Sequence, residues 1–126
     1  MIEDIPVPIN TQEELIAACL NNLEASKAHD IVGIDLKDNS SVCDYMLIAS
    51  GTSNRHVAAM AYRLEVFLHK CGLKDITISG AQLGEWVILD LGTVLVHILQ
   101  EPVRERYRLE DLYRCMASGV NPQDEE

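Results

Sequence analysis

The chain has 126 residues, which suits one compact domain rather than two, and 48% of them are hydrophobic, which is enough to form a core. Its formal net charge is −10, and this argues against direct binding to DNA or RNA, because phosphate contacts require lysine and arginine. The charge favours a partner with a basic surface, although an acidic balance also serves solubility alone.

The N-terminal part of the chain predicts an irregular lead-in (1–10), a helix and a β-hairpin. Thr11 is followed three residues later by Glu14, which is the capping-box pattern of a helix start. Apolar residues then recur at helical spacing. The next two apolar runs, 30–36 and 44–50, have strand length and are separated by the turn-forming segment KDNSS.

The middle of the chain predicts a second helix. Ser53 or Thr52 suits the N-cap, an apolar stripe follows from Val57 to Leu68, and Gly72 suits the left-handed position after the helix end. A short strand candidate, 75–79, comes next.

The last third predicts a tight hairpin and a final helix. The apolar runs 85–91 and 93–99 flank Gly92, which permits a tight turn. Pro102 fits the first turn of a helix that would run to Gly119.

The predicted order of elements is α-β-β-α-β-β-β-α, which indicates a mixed sheet covered by helices in a single α/β (α+β) domain. We place this domain at residues 11–119. The remaining segment, 120–126, is polar and acidic and is expected to be a disordered tail.

The cysteines and the N-terminus bear on the cellular compartment. The four cysteines are scattered without a Cys-x-x-Cys pair, so we expect buried free thiols in a reducing environment. The start of the chain is acidic, unlike a signal peptide, and no apolar run is long enough to cross a bilayer. We therefore expect a cytoplasmic protein with no membrane contact. The cysteines are Cys19, Cys43, Cys71 and Cys115.

The turn Gly51–Ser53 lies between a predicted strand and a predicted helix, where exposed amides can bind an anion. It lacks the spacing of a phosphate-binding P-loop. The alternative is that Gly51 permits a sharp turn and Ser53 caps the helix.

A nucleotidyltransferase-like enzyme that binds nucleotides is the competing function. Such an enzyme has a similar layout but needs two neighbouring carboxylates to hold a divalent metal. The late strands offer Asp90 alone, and the one Asp-x-Glu pattern, Asp124–Glu126, lies in the tail. We therefore expect no metal, no cofactor and no catalytic residues.

Other catalytic patterns are also missing from the sequence. There is no Gly-x-Ser-x-Gly nucleophile elbow, and no cysteine has a recognisable nucleophile context. The histidines lack metal-ligand spacing. They are His29, His56, His69 and His97.

The run from Glu85 to Leu99 carries the candidate binding residues. Alternate strand residues share a face, so Trp86, Ile88 and Asp90 point one way, and the aliphatic residues between them point the other. His97 and Leu99 share a parity on the next strand. An aromatic anchor with aliphatic and polar neighbours is typical of a protein-binding patch. The alternatives are that Asp90 and His97 bond to each other or to turn amides, or form a catalytic pair. The patch residues are Trp86, Ile88, Asp90, His97 and Leu99.

Four segments of this chain resemble one known family, the Iojap-like ribosomal silencing factors. They span about residues 30–114 and read DIVGIDL, SSVCDYMLIASGTSNRHVAAMA, GEWVILDLGTVLVHI and EPVRERYRLEDLY. The combination of G-T-S-x-R-H-V, W-V-x-x-D-x-G and V-H-I is specific.

The resemblance implies a nucleotidyltransferase-like fold without the enzyme's metal pair. It implies binding to the large ribosomal subunit through a protein of its intersubunit face, protein fourteen of that subunit. Binding there would block subunit joining and repress translation when nutrients are scarce. It also implies a homodimer and assigns the partner contacts to Trp86, Asp90 and His97, to which strand parity adds Ile88 and Leu99.

Overall fold

The computed structural model describes residues 8–37, 43–108 and 111. Within them, helices and strands follow each other in the predicted order α-β-β-α-β-β-β-α, so the mixed α/β fold class is confirmed. The helices are α1 (Gln12–Ala25), α2 (Asn54–Lys70) and α3 (Glu101–Tyr107). The strands are β1 (His29–Asp35), β2 (Tyr45–Gly51), β3 (Thr77–Ser79), β4 (Trp86–Asp90) and β5 (Val94–Gln100).

Both long helices begin where their capping residues predict. The Thr11 hydroxyl accepts from the Glu14 N–H at 3.1 Å, and the Glu14 carboxylate accepts from the Thr11 N–H at 3.0 Å. The Ser53 hydroxyl accepts from the His56 N–H at 3.1 Å at the start of α2. These bonds satisfy backbone donors that have no partner inside the helix. At the other end of α2, Gly72 has a φ of 95°, the left-handed conformation predicted for it.

The five strands form one sheet in the order β1-β2-β5-β4-β3. The two predicted hairpins, β1–β2 and β4–β5, are antiparallel pairs and are confirmed. Between them, β2 and β5 run parallel from Tyr45–Val94 to Gly51–Gln100. The last of the described strands therefore lies inside the sheet and joins its two halves.

Each face of the sheet carries its own apolar cluster. α1 and α2 cover one face, where Leu64 and Leu68 of α2 pack with the inward residues of β4 and β5. On the opposite face, Val103 of α3 belongs to a second cluster built on β1, β2 and β5. Helices therefore lie on both faces of the sheet. The second cluster contains Ile34, Leu36, Cys43, Met46, Ile48, Leu99 and Val103.

A buried arginine fixes α3 to the edge of the sheet. Arg104 is 7% exposed, and its Nη1 donates to the Asp30 carbonyl at 2.6 Å and to the Ser50 hydroxyl at 2.8 Å. Asp30 lies in the register irregularity of β1 and has a φ of 49°. Because hydrogen bonds to a charged group are stronger than neutral ones, this contact holds α3 in a fixed position over the sheet.

The predicted last helix is interrupted after Tyr107. Pro102 does lie in its first turn, but α3 ends at Tyr107 because Arg108 adopts the left-handed conformation, with a φ of 48°. The rest of the predicted helix, apart from residue 111, lies outside the described residues. So do the tail and most of the lead-in.

The loop between β3 and β4 approaches the start of α2 so closely that it requires glycine. Gly84 has a φ of 70°, and a Cβ there would lie 2.5 Å from the Asn54 carbonyl oxygen. We expect Gly84→Ala to lower the free energy of unfolding by about 2 kcal/mol, measured by urea denaturation. Gly72→Ala is the matched control, since its φ is also positive but its Cβ would meet nothing within 4 Å. Gly72→Ala should lower the free energy of unfolding by about 1 kcal/mol. Equal decreases for the two substitutions would contradict the close approach at Gly84.

Candidate functional site

We call the side of β4 and β5 that points away from α1 and α2 the Trp86 face. Side chains along β4 alternate between the two faces of the sheet, as the sequence predicted. Val87 and Leu89 are fully buried in the helix-covered cluster, whereas Trp86 and Ile88 are half-buried on the other side and Asp90 is exposed. The pairing of β4 with β5 sets Trp86 opposite Leu99 and Ile88 opposite His97, so these candidates share one face as predicted.

Two of the five predicted contact residues lie too deep to touch a partner in this conformation. His97 is 3% exposed and Leu99 is 0% exposed. Leu99 belongs to the second apolar cluster, against which Trp86 packs. Trp86, Ile88 and Asp90 reach the surface, whereas His97 and Leu99 lie beneath them. The physical reason is that α3 and the second cluster cover part of this face.

Trp86 and His97 are joined by a hydrogen bond. The indole N–H donates to His97 Nδ1 at 2.9 Å, and the ring centroids lie 5.9 Å apart. Because an indole nitrogen can only donate, Nδ1 must be the unprotonated nitrogen of a neutral imidazole. Burial lowers the pKa of His97 from 6.5 to about 4, which keeps the ring in this neutral form near neutral pH.

Tyr107 also belongs to the Trp86 face, although it was not among the five predicted contact residues. Its ring centroid lies 5.1 Å from that of Trp86, within the range of favourable aromatic pairs, and the side chain is 56% exposed. The available signal was helical spacing. Val103 packs on the sheet, and a residue four positions later lies over the same face.

Asp90 has a local structural role. Its Oδ1 accepts from the Gly92 N–H at 3.0 Å and so stabilises the turn between β4 and β5. This is the turn-amide alternative. Asp90 is paired with Leu95, two positions from His97 on β5, and His97 bonds to Trp86 instead. The contacts therefore give no support to a catalytic Asp–His pair.

One amide of the Gly51–Ser53 turn, that of Thr52, is already engaged. The Thr52 N–H donates to His56 Nδ1 at 3.0 Å, and His56 Nε2 donates to the Ser26 carbonyl at 2.8 Å. The His56 N–H is bonded to Ser53, as described above. These contacts favour the capping interpretation over an anion site.

The enzyme alternative also lacks a common site for its candidate residues. Gly51 pairs with Gln100, whereas Asp90 pairs with Leu95, so the two lie five strand positions apart along β5. At about 3.3 Å per residue this separates them by roughly 17 Å. Over 8–37, 43–108 and 111, no group of three or more His, Cys, Asp or Glu side chains could hold a metal ion.

The described cysteines fit the predicted free thiols. Cys19, Cys43 and Cys71 are unbonded to one another and buried, and burial raises the pKa of the Cys19 thiol to about 12. A thiol with so high a pKa is a poor nucleophile. Cys115 lies outside the described residues. Within the described part of the chain, no helix has the length and apolar character needed to cross a membrane.

Known proteins match both the sequence and the fold. The family described as ribosomal silencing factor during starvation matches residues 9–126. The Haemophilus influenzae ribosomal silencing factor RsfS is 38% identical over 99 residues, which cover 79% of this chain and 97% of that protein. A mouse protein named "Mitochondrial assembly of ribosomal large subunit protein 1" is 34% identical over 94 residues, which cover 72% of this chain and 41% of that protein.

A crystal structure of a Chromobacterium violaceum protein superposes with a TM-score of 0.79 at 35% identity and covers 82% of this chain and 87% of that one. Fold and site thus define a small mixed α/β domain with an aromatic patch on one face of its sheet. The chain belongs to the ribosomal silencing factor family, a family of translation regulators, as its sequence motifs predicted.

Proposed function

We propose that this protein binds the large ribosomal subunit through a ribosomal protein on the intersubunit face. Bound there, it blocks joining of the small subunit and represses translation under nutrient limitation. The mechanism is steric and needs no bond-making chemistry. An interface of standard size, roughly 1,200–2,000 Å² in total, suffices if it lies where the small subunit must dock.

The observation that carries this proposal is the partly exposed Trp86 in a chain with a single tryptophan. Trp86 stays partly exposed beside Ile88 and Tyr107, although burial of a large aromatic side chain would stabilise the fold. Exposed apolar patches of this kind mark interaction sites. Aromatic residues of this kind provide much of the binding energy in protein interfaces. We infer that Trp86 and Ile88 supply the apolar centre of the contact and that Asp90 supplies a polar edge.

His97 and Leu99 belong to the proposed site as support beneath this surface. Leu99 is paired with Trp86 across the hairpin, and His97 accepts the indole N–H. Substitutions at either position are therefore expected to alter partner binding through Trp86.

The names of related proteins support the ribosomal partner. The family description includes starvation, and the mouse relative is named for assembly of the large ribosomal subunit. From the resemblance we also propose a homodimer in the cytoplasm, with no direct binding to DNA. The dimer is testable by analytical ultracentrifugation of the purified protein.

The net charge of −10 predicts strong salt dependence of binding. Opposite charges on the two partners speed their encounter, and salt screens this attraction beyond about 10 Å at 0.1 M. We expect the association rate constant with the large subunit to fall by about tenfold or more between 50 and 500 mM KCl at fixed magnesium, with a smaller change in the dissociation rate. Stopped-flow or surface-based kinetics would measure both. An association rate that does not change with salt would contradict an acidic protein docking on a basic one.

Sedimentation with purified subunits tests the proposed function directly. The protein should migrate with large subunits in a sucrose gradient and not with small subunits alone. Added before the two subunits are mixed, it should lower the fraction of joined ribosomes in proportion to its occupancy. Protein that stays at the top of the gradient, or that binds without affecting joining, would overturn the proposal.

A further inference from the structure

The indole of Trp86 has a contact on each of two sides. Its N–H donates to the buried His97 at 2.9 Å, and its ring packs at 5.1 Å from the Tyr107 ring of α3. Arg104 in turn anchors α3 through the Asp30 and Ser50 oxygens. The half-buried tryptophan therefore has a defined orientation at the surface.

The strand register shows that the hydrogen bond to His97 makes the indole lean across the hairpin. Trp86 stands directly opposite Leu99, whereas His97 is opposite Ile88, so the hydrogen bond joins diagonal positions of the hairpin. Diagonal neighbours are about 7–8 Å apart, within reach of an aromatic side chain that leans across the sheet. The His97 acceptor is the contact that orients the indole N–H in this direction.

A fixed orientation matters for binding because an ordered side chain loses little further freedom when a partner docks. Immobilising a rotamer-rich side chain on association weakens binding roughly two- to tenfold. A solvated indole N–H would also have to lose its water before the apolar contact could form. The bond to His97 removes both costs before the partner arrives.

We propose that His97 is a positioning residue that holds the Trp86 indole in its docking orientation. It does so by accepting the indole N–H from beneath, while Tyr107 packs against the ring from α3. This inference rests on the proposed function of the Trp86 face. His97 itself makes no contact with the partner.

Two substitutions separate the hydrogen bond from the packing. In His97→Asn the side-chain oxygen stands the same number of bonds from Cβ as Nδ1 does, so an acceptor remains for the indole. His97→Leu has a similar branching pattern but offers no acceptor. His69→Leu is the control, since His69 is an exposed histidine on α2, on the opposite side of the sheet.

Each variant is measured in two ways after thermal unfolding has confirmed that it folds cooperatively. The first is the indole ¹⁵N–¹H signal and its hydrogen-exchange rate, which report on Trp86 alone because the chain has one tryptophan. The second is the affinity for purified large ribosomal subunits.

We expect His97→Leu to shift the indole signal, accelerate its exchange and weaken binding about tenfold. His97→Asn should recover most of the exchange protection and most of the affinity. The His69→Leu protein should match the parent in both measurements.

Three results would overturn the inference. One is a His97→Leu protein with an altered indole signal and parental affinity. Another is a His97→Leu protein that loses affinity while its indole signal stays as in the parent, because His97 would then affect binding without orienting Trp86. The third is an equal loss of affinity in the Asn and Leu proteins despite restored protection in the former. If the parent itself does not bind, the proposed function fails, whereas parental binding by His97→Leu overturns only the role of His97.

Discussion

Trp86→Ala is expected to weaken binding to the large ribosomal subunit by about 30-fold or more while the protein stays folded. Truncating a central interface aromatic typically costs about 2 kcal/mol or more, and about 1.4 kcal/mol corresponds to a factor of ten. The substitution removes the main apolar contact of the Trp86 face and the hydrogen bond to His97. Co-sedimentation at several protein concentrations would give the affinity, and subunit joining should recover in parallel.

Tyr62→Ala is the matched control for this experiment. Tyr62 is 66% exposed on α2, so the change removes an aromatic surface residue from the helix-covered side. It should bind as the parent does. If Trp86→Ala co-sediments as well as Tyr62→Ala, the Trp86 face is not the ribosome contact.

Acidification is expected to destabilise the parent protein through His97. In the folded state burial lowers the pKa of His97 to about 4, whereas the unfolded chain takes up the proton near pH 6.5. The unfolded state therefore binds more protons between these values, and the stabilisation present above pH 6.5 is lost as the pH falls towards 4. A separation of this size corresponds to about 3 kcal/mol at most, since one pKa unit is about 1.4 kcal/mol.

The comparison with His97→Asn isolates this effect, because other titrating groups are shared by the two proteins. The free energy of unfolding, measured in urea, should favour the parent most at pH 7.5, and that advantage should shrink by about 2–3 kcal/mol at pH 4.5. An advantage that stays constant across this range would contradict a buried neutral imidazole at position 97.

Local signals in the sequence predicted the elements and the faces of the strands. Thr11, Ser53 and Gly72 act through neighbours a few positions away, so their roles as helix boundaries follow from the chain itself. The alternation around Trp86 likewise separated the covered face from the open one, because side chains on a strand alternate regardless of what packs against them.

Contacts between distant segments explain what the sequence did not predict. Strand alternation placed His97 on the same face as Trp86 but gave no information about how deeply its side chain is buried. That burial depends on the second apolar cluster and on α3. Tyr107 reaches the indole because Val103 and Arg104 fix α3 over the sheet. The early end of α3 depends on the left-handed Arg108, for which a sequence has no strong signal, since non-glycine residues rarely adopt that conformation.

The order of the strands also governs when the molecule can assemble during its own synthesis. The central position of the sheet is taken by β5, the last of the described strands, so β2 and β4 each lack one of their two neighbours until Gln100 has left the exit tunnel. The parallel pairing of β2 with β5 joins segments distant in the chain, so it forms slowly and cannot begin before β5 has been made. The docking surface proposed for the Trp86 face is therefore incomplete on a growing copy of the chain until β5 has been made.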